Sequence, residues 1–115
     1  MVYPPETIFA EKLETVISKG AINSRMKDYH DLFLLARDPH VIGFNTLQAA
    51  IKSTFHHRGT AFELIDFSES DLKPLDRLWV AHLKNLGGTG QALNLPGNIQ
   101  DVIMEINKAL KKLAL

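Results

Sequence analysis

Residues Leu32 to Ala36 read LFLLA and are apolar on every side of a helix. In a chain of only 115 residues, such a segment has to run through the middle of the fold with other elements packed around it. It closes a longer stretch, Tyr3 to Leu35, that reads as two helices joined by a short turn. The first begins after Pro4-Pro5, where no N–H is needed, and stops at Gly20, the usual residue just past a helix end. Phe9, Leu13, Val16 and Ile17 recur at helical spacing and form its apolar stripe. Lys12 sits on the border of that stripe, one turn from Ile8, while Glu11, Glu14 and Ser18 take the outer face. The second helix is predicted to open at Ser24, a good N-cap, and its first turns carry Lys27, Asp28 and Asp31. A central helix with three charges in its first turns is the place where the sequence argues for chemistry.

The remainder reads as three more helices. Asp38-Pro39 ends the second helix, because a residue before proline avoids helical angles. Asn45 with Gln48 reads as a capping box for a third helix, whose Leu47, Ala50, Ile51, Thr54 and Phe55 fall on one face before Gly59. Thr60 to Phe67 has strand-like composition, but a lone strand has no partner here, so an extended connector is expected. Pro74 is expected to open a fourth helix with Leu75, Leu78, Trp79, Leu83 and Leu86 inward. The glycines at 87, 88 and 90 make a flexible break and lack the Lys-Ser/Thr that follows in a P-loop. A fifth helix starts near Pro96 or Asn98, with Ile99, Val102, Ile103, Ile106, Leu110 and Leu113 on one face and Lys108, Lys111 and Lys112 at the negative end of its dipole. The expected fold is all-α, a five-helix bundle-like single domain spanning 1–115.

Composition removes several classes of function. Lysine plus arginine and aspartate plus glutamate both number 13, so nothing favours general DNA or membrane-surface binding, and a nucleotide or RNA site has to be a local patch. There is no cysteine, which excludes disulfides and thiol-ligated metals. No signal peptide is recognisable after Met1, and no apolar run approaches the ~20 residues that span a bilayer, so the cytoplasm is the expected location. His30, His40 and His82 are scattered, and the adjacent His56 and His57 cannot share a helix face, so no histidine metal site is expected.

Taken residue by residue, the charged groups admit two readings. Lys12 suits a surface lysine whose stem covers apolar area, and its ammonium is also a compact charge able to neutralise phosphate. Lys27 can reach Asp31 at i,i+4, a pair worth only about 0.3 kcal/mol. Asp28 or Asp31 can accept a proton from an attacking hydroxyl that lies within hydrogen-bond reach, and spacing does not choose between them. Arg25 and Arg58 offer guanidinium forks that match phosphate oxygens, or serve as surface and helix-end residues.

The segment AEKL, with Glu11, Lys12 and Leu13, followed by Ser24 to Leu32 (SRMKDYHDL), resembles the third and fourth motifs of the AbiEii-like abortive-infection nucleotidyltransferase toxins. Lys27, Asp28, Asp31 and Leu32 match the form KDxxDL position by position. Ala50-Ile51, Thr54-Phe55 and Arg58-Gly59-Thr60 resemble the family's next helix, and Trp79 stands where the family often has tryptophan. The family is similar to polymerase-β-type nucleotidyltransferases, with an N-terminal α/β core and a C-terminal helical part. Its first motif, Gly-Ser followed by metal-binding acidic residues, does not occur in these 115 residues. The resemblance therefore implies the C-terminal helical half of a toxin from a toxin–antitoxin or phage-defence system, inactive alone. It implies catalytic roles for Asp28 and Asp31 and nucleotide binding by Lys12, Lys27, Arg25 and Arg58. It also implies a nucleoside triphosphate, an acceptor such as tRNA, and magnesium in the complete enzyme, with an antitoxin or a catalytic half as protein partner. The alternative is a non-catalytic helical module that docks on a partner chain. Leu34 and Leu35 extend the second helix's apolar surface beyond one stripe and Ile8 does the same beside Lys12, so a homodimer through the face of Ile8, Lys12 and Asp31 is expected.

Overall fold

The computed structural model describes residues 4–38, 42–88 and 94–113. They form five helices: α1 (Pro5–Lys19), α2 (Met26–Arg37), α3 (Phe44–Arg58), α4 (Glu69–Leu86) and α5 (Ile99–Leu110). A short 3-10 turn, Gly20–Ile22, links α1 to α2, and no strand occurs among the described residues. The fold is all-α, as the hydrophobic periodicity predicts. His40, Thr89 and Gly90 lie outside the described residues.

Helix α2 is the hub and packs against α1, α4 and α5. Its Tyr29 and Leu32 are fully buried together with Phe9, Leu13 and Val16 of α1. Leu34, Leu35 and Ala36 are half-buried against the same core, as expected of a helix apolar on all sides. Helix α3 lies on α1 through Leu47, Ile51 and Phe55. Helix α5 covers α2 and α4 with Ile99, Val102, Ile103, Ile106 and Leu110.

Three helix starts differ from the sequence expectation. Ser24 is exposed and does not cap α2, which begins two residues later; Asn23 is buried instead, and its Oδ1 accepts from the Arg25 N–H at 3.3 Å. Asn45 lies inside α3 rather than capping it. The helix opens after Gly43, whose N–H donates to Glu6 Oε2 of α1 at 2.8 Å. Pro74 does not open α4. That helix starts at Glu69, after Ser68, whose Oγ accepts from the Asp71 N–H, and Pro74 sits inside it. A proline in the second turn forfeits one N–H bond, a cost the added turn offsets by extending the capped helix. Leu78, expected inward, is 40% exposed, whereas Leu75 and Trp79 are buried as expected.

The connector from Thr60 to Phe67 forms neither helix nor strand. A single α5 side chain stands in for the partner strand: Asn107 Oδ1 accepts from the Ile65 N–H at 2.9 Å and Asn107 Nδ2 donates to the Ile65 carbonyl at 2.8 Å. Trp79 Nε1 donates to the Pro96 carbonyl, and Asp76 Oδ1 accepts from the Ile99 N–H, so α4 holds the start of α5 twice.

Candidate functional site

The close packing of α1 on α2 carries Lys12 over the first turns of α2. Its ammonium lies 3.3 Å from Asp28 Oδ1 and 3.2 Å from Asp31 Oδ2. Asp28 and Asp31 are three residues apart and share a helix side, which is why one ammonium reaches both. Lys27 Nζ lies 3.2 Å from Asp31 Oδ1, the i,i+4 pair legible in the sequence. Asn23 Nδ2 donates to Asp28 Oδ2 at 3.4 Å.

The members differ in exposure, and that separates their roles. The Asp28 side chain is 5% exposed and has both oxygens engaged, so it acts as an anchor. The Asp31 and Lys12 side chains are each 24% exposed and Lys27 is 59% exposed. Tyr29, next to Asp28, has a buried hydroxyl with no partner; burial, then the Asp28 charge, pushes its phenol up to about 12, so it stays neutral.

A cleft of about 230 Å³ opens beside this cluster, lined by Ile8, Glu11, Lys12, Thr15, Arg25, Asp28 and Arg58. It collects Lys12, Arg25, Asp28 and Arg58 from α1, the turn before α2, α2 itself and the end of α3. Lys27 and Asp31 join it only through the Asp31–Lys12 contact. Arg58 is more constrained than a free phosphate contact: its guanidinium donates to Glu14 Oε1 at 3.0 Å. Glu14, expected on the outer face of α1, is buried, and its other oxygen accepts from Thr60 Oγ1 at 2.9 Å. The carboxylate can be buried there because two donors from the end of α3 satisfy it.

Residues 1–104 of the 115 match the family described as nucleotidyl transferase AbiEii toxin, type IV TA system. The chain belongs to this family. The matched span takes in every member of the AbiEii cluster, from Lys12 to Arg58. No curated protein and no solved structure matches the chain. No helix among the described residues of this AbiEii chain is long and apolar enough to cross a membrane.

Four residues at or near the cluster have contacts that the sequence did not indicate. Glu14 follows Leu13 directly and sits one turn after the fully buried Ala10, a spacing that hinted at burial. Asn23 carried no local signal. His30 and His82, which looked scattered, meet: His30 Nδ1 lies 2.9 Å from His82 Nε2, across 52 residues of sequence.

Proposed function

We propose that the chain contributes the phosphate-contacting cluster to nucleotide transfer from a nucleoside triphosphate to an acceptor such as tRNA. The observation that carries this reading is the Lys12 ammonium, held between two carboxylates at the mouth of a cleft it shares with Arg25 and Arg58. In the resting cluster each lysine is neutralised by aspartate. A triphosphate would enter by offering its oxygens to Lys12 and Lys27 in place of Asp31, the more exposed carboxylate. Asp31 would then be free to accept the proton of the attacking hydroxyl, while that oxygen bonds the α-phosphorus and pyrophosphate leaves. Asp28, fixed by Asn23, would keep Lys12 in place throughout.

Magnesium, implied by the family resemblance, does not fit this cluster. Lysines already occupy the Asp28 and Asp31 carboxylates, and no group of three or more His, Asp or Glu able to hold a metal occurs among the described residues. The metal ligands would have to come from elsewhere, and no step here passes through them. For that reason the isolated chain is expected not to transfer labelled nucleotide.

The expected self-association is part of this reading in weaker form. Leu34 and Leu35 pack against the core, and the large apolar side chains exposed among the described residues, Ile22, Phe44, Leu78 and Met104, belong to different elements. Among the described residues lining the cleft beside Lys12, half-buried Ile8 is the apolar one. A dimer through this face would be weak, and sedimentation from micromolar to millimolar chain measures it.

The deciding experiment is binding of inorganic triphosphate, followed by side-chain NMR of Lys12 and Lys27. The reading requires saturable shifts at both lysines that Lys12→Ala abolishes. Shifts absent at millimolar triphosphate, or unchanged by Lys12→Ala, would leave the helical docking module as the better account.

A further inference from the structure

Behind the charged cluster, on the side of α2 that meets α4, sits a pair of imidazoles. His30 is 1% exposed, and its Nδ1 is 2.9 Å from Nε2 of half-buried His82. The rings cross edge to face with centroids 5.1 Å apart, and His82 in turn lies 5.4 Å from the Trp79 ring. The other nitrogen of His30, Nε2, is buried with no partner.

That orphan nitrogen decides the tautomer. A neutral pair has one proton in the shared contact. If His82 donated it, His30 would carry its own proton on Nε2, leaving a buried N–H without an acceptor. If His30 Nδ1 donates to His82 Nε2, the orphan is only a lone pair, and a buried unpaired acceptor is the milder defect. The favoured arrangement is therefore Nδ1–H on His30, with His82 protonated on Nδ1. In this arrangement an added proton has no good place. On His30 Nε2 it creates the orphan donor; on His82 Nε2 it sets two N–H groups face to face at 2.9 Å.

We propose that His30 and His82 form a proton-sensitive latch that fastens α2 to α4 while both rings are neutral and loosens when the pair takes up a proton. Burial lowers both rings below the ordinary 6.5, and Lys27 lowers both further, His82 does the same to His30, and Asp31 opposes. Among the described residues, the charges that act on the pair are Lys27 and Asp31 from α2 itself and His82 from α4, with none from α1, α5 or the Gly20–Ile22 turn. The sign follows from linkage. The unfolded chain binds protons at 6.5 and the folded pair only at lower pH, so the latch's stabilisation is complete above 6.5. It is lost as pH falls through the depressed folded-state values.

The latch adjoins the proposed phosphate cluster, because Lys27 and Asp31 belong to both. Proton uptake at the pair and charge at the cluster are then reciprocally coupled. That regulatory sense rests on the nucleotide reading, whereas the latch does not.

Trp79 is the only tryptophan in the chain, so its emission reports the latch directly; an imidazolium against an indole quenches it. The experiment titrates Trp79 fluorescence of the full chain from pH 8 to pH 4.5, without nucleotide, beside ¹⁵N NMR of the imidazoles. The expected result is a quenching step with a midpoint below 6.5, absent in His82→Gln, shifted up by Lys27→Gln and down by Asp31→Asn. NMR should show His30 as the Nδ1–H tautomer at pH 8. Should His82→Gln not fold, the unmodified chain's NMR titration and the two α2 variants still decide. Ordinary, independent midpoints near 6.5 for the two rings, or a step unmoved by either α2 variant, would overturn the latch. If the latch holds while triphosphate does not bind, only the nucleotide reading fails.

Discussion

Replacing Lys12 by methionine separates a structural ammonium from an ordinary surface lysine. The substitution keeps an unbranched apolar stem and removes the charge. Breaking one side of a fully buried ion pair costs about 3–5 kcal/mol, whereas an exposed pair is worth about 0–1 kcal/mol. Lys12 lies between these limits: its side chain is 24% exposed, but the Asp28 it serves is 5% exposed. The loss strips one charged contact from Asp28, which retains Asn23, and one from Asp31, which retains Lys27. The expected destabilisation is about 2 kcal/mol at pH 7.5. With a urea slope of about 1.5 kcal/mol per molar, the unfolding midpoint should fall by a little over ~1 M. Lys27→Met, at a 59% exposed side chain, should cost only about 0.3 kcal/mol. Adding Asp28→Asn to Lys12→Met should recover at least half of the loss, because the uncompensated buried charge disappears. Equal midpoints for Lys12→Met and Lys27→Met, or no recovery in the double variant, would refute the view that packing of α1 on α2 depends on this ammonium.

In an assembled enzyme, Lys12→Ala and Asp28→Ala should each lower nucleotide transfer at least ~100-fold while circular dichroism stays unchanged; unaffected rates would point to a purely structural cluster. The isolated chain should incorporate no labelled nucleotide into RNA with magnesium present, and stoichiometric incorporation would contradict the proposed division of the active site. Asn107→Ala removes both bonds to the Ile65 backbone and should cost about 2 kcal/mol in urea unfolding, with faster hydrogen exchange at the Ile65 amide. Gly20→Ala should cost more than Gly59→Ala in the same assay. Gly20, at φ 61 and ψ −146, occupies a region essentially reserved for glycine, while Gly59, at φ 64 and ψ 29, is only left-handed helical.

Local spacing and local backbone rules were enough for much of the helical framework. The stripes of α1, α3 and α5, the central position of α2, the stops at Gly20 and Gly59, and the Lys27–Asp31 pair all depend on residues within a few turns of one another. Lys12, Lys27, Asp28 and Asp31 could be singled out as a charged group because their segments lie close together in the chain, and the family match spans both. Tertiary structure decided where polar groups far apart in sequence are satisfied. Glu14 looked solvent-facing until α3 brought Arg58 and Thr60 to it, and His30 found His82 only once α4 lay against α2. Two of the misplaced helix starts, those of α2 and α3, involve buried or distant acceptors, whereas α4 starts at a local cap, Ser68. Ser24 and Asn45 are sound caps locally, but the chain enters α2 with buried Asn23 accepting from the Arg25 N–H and enters α3 with Glu6 of α1 accepting from the Gly43 N–H. Where a helix start is packed against the core, burial raises the cost of every unpaired N–H, and only the folded chain determines which acceptors are within reach.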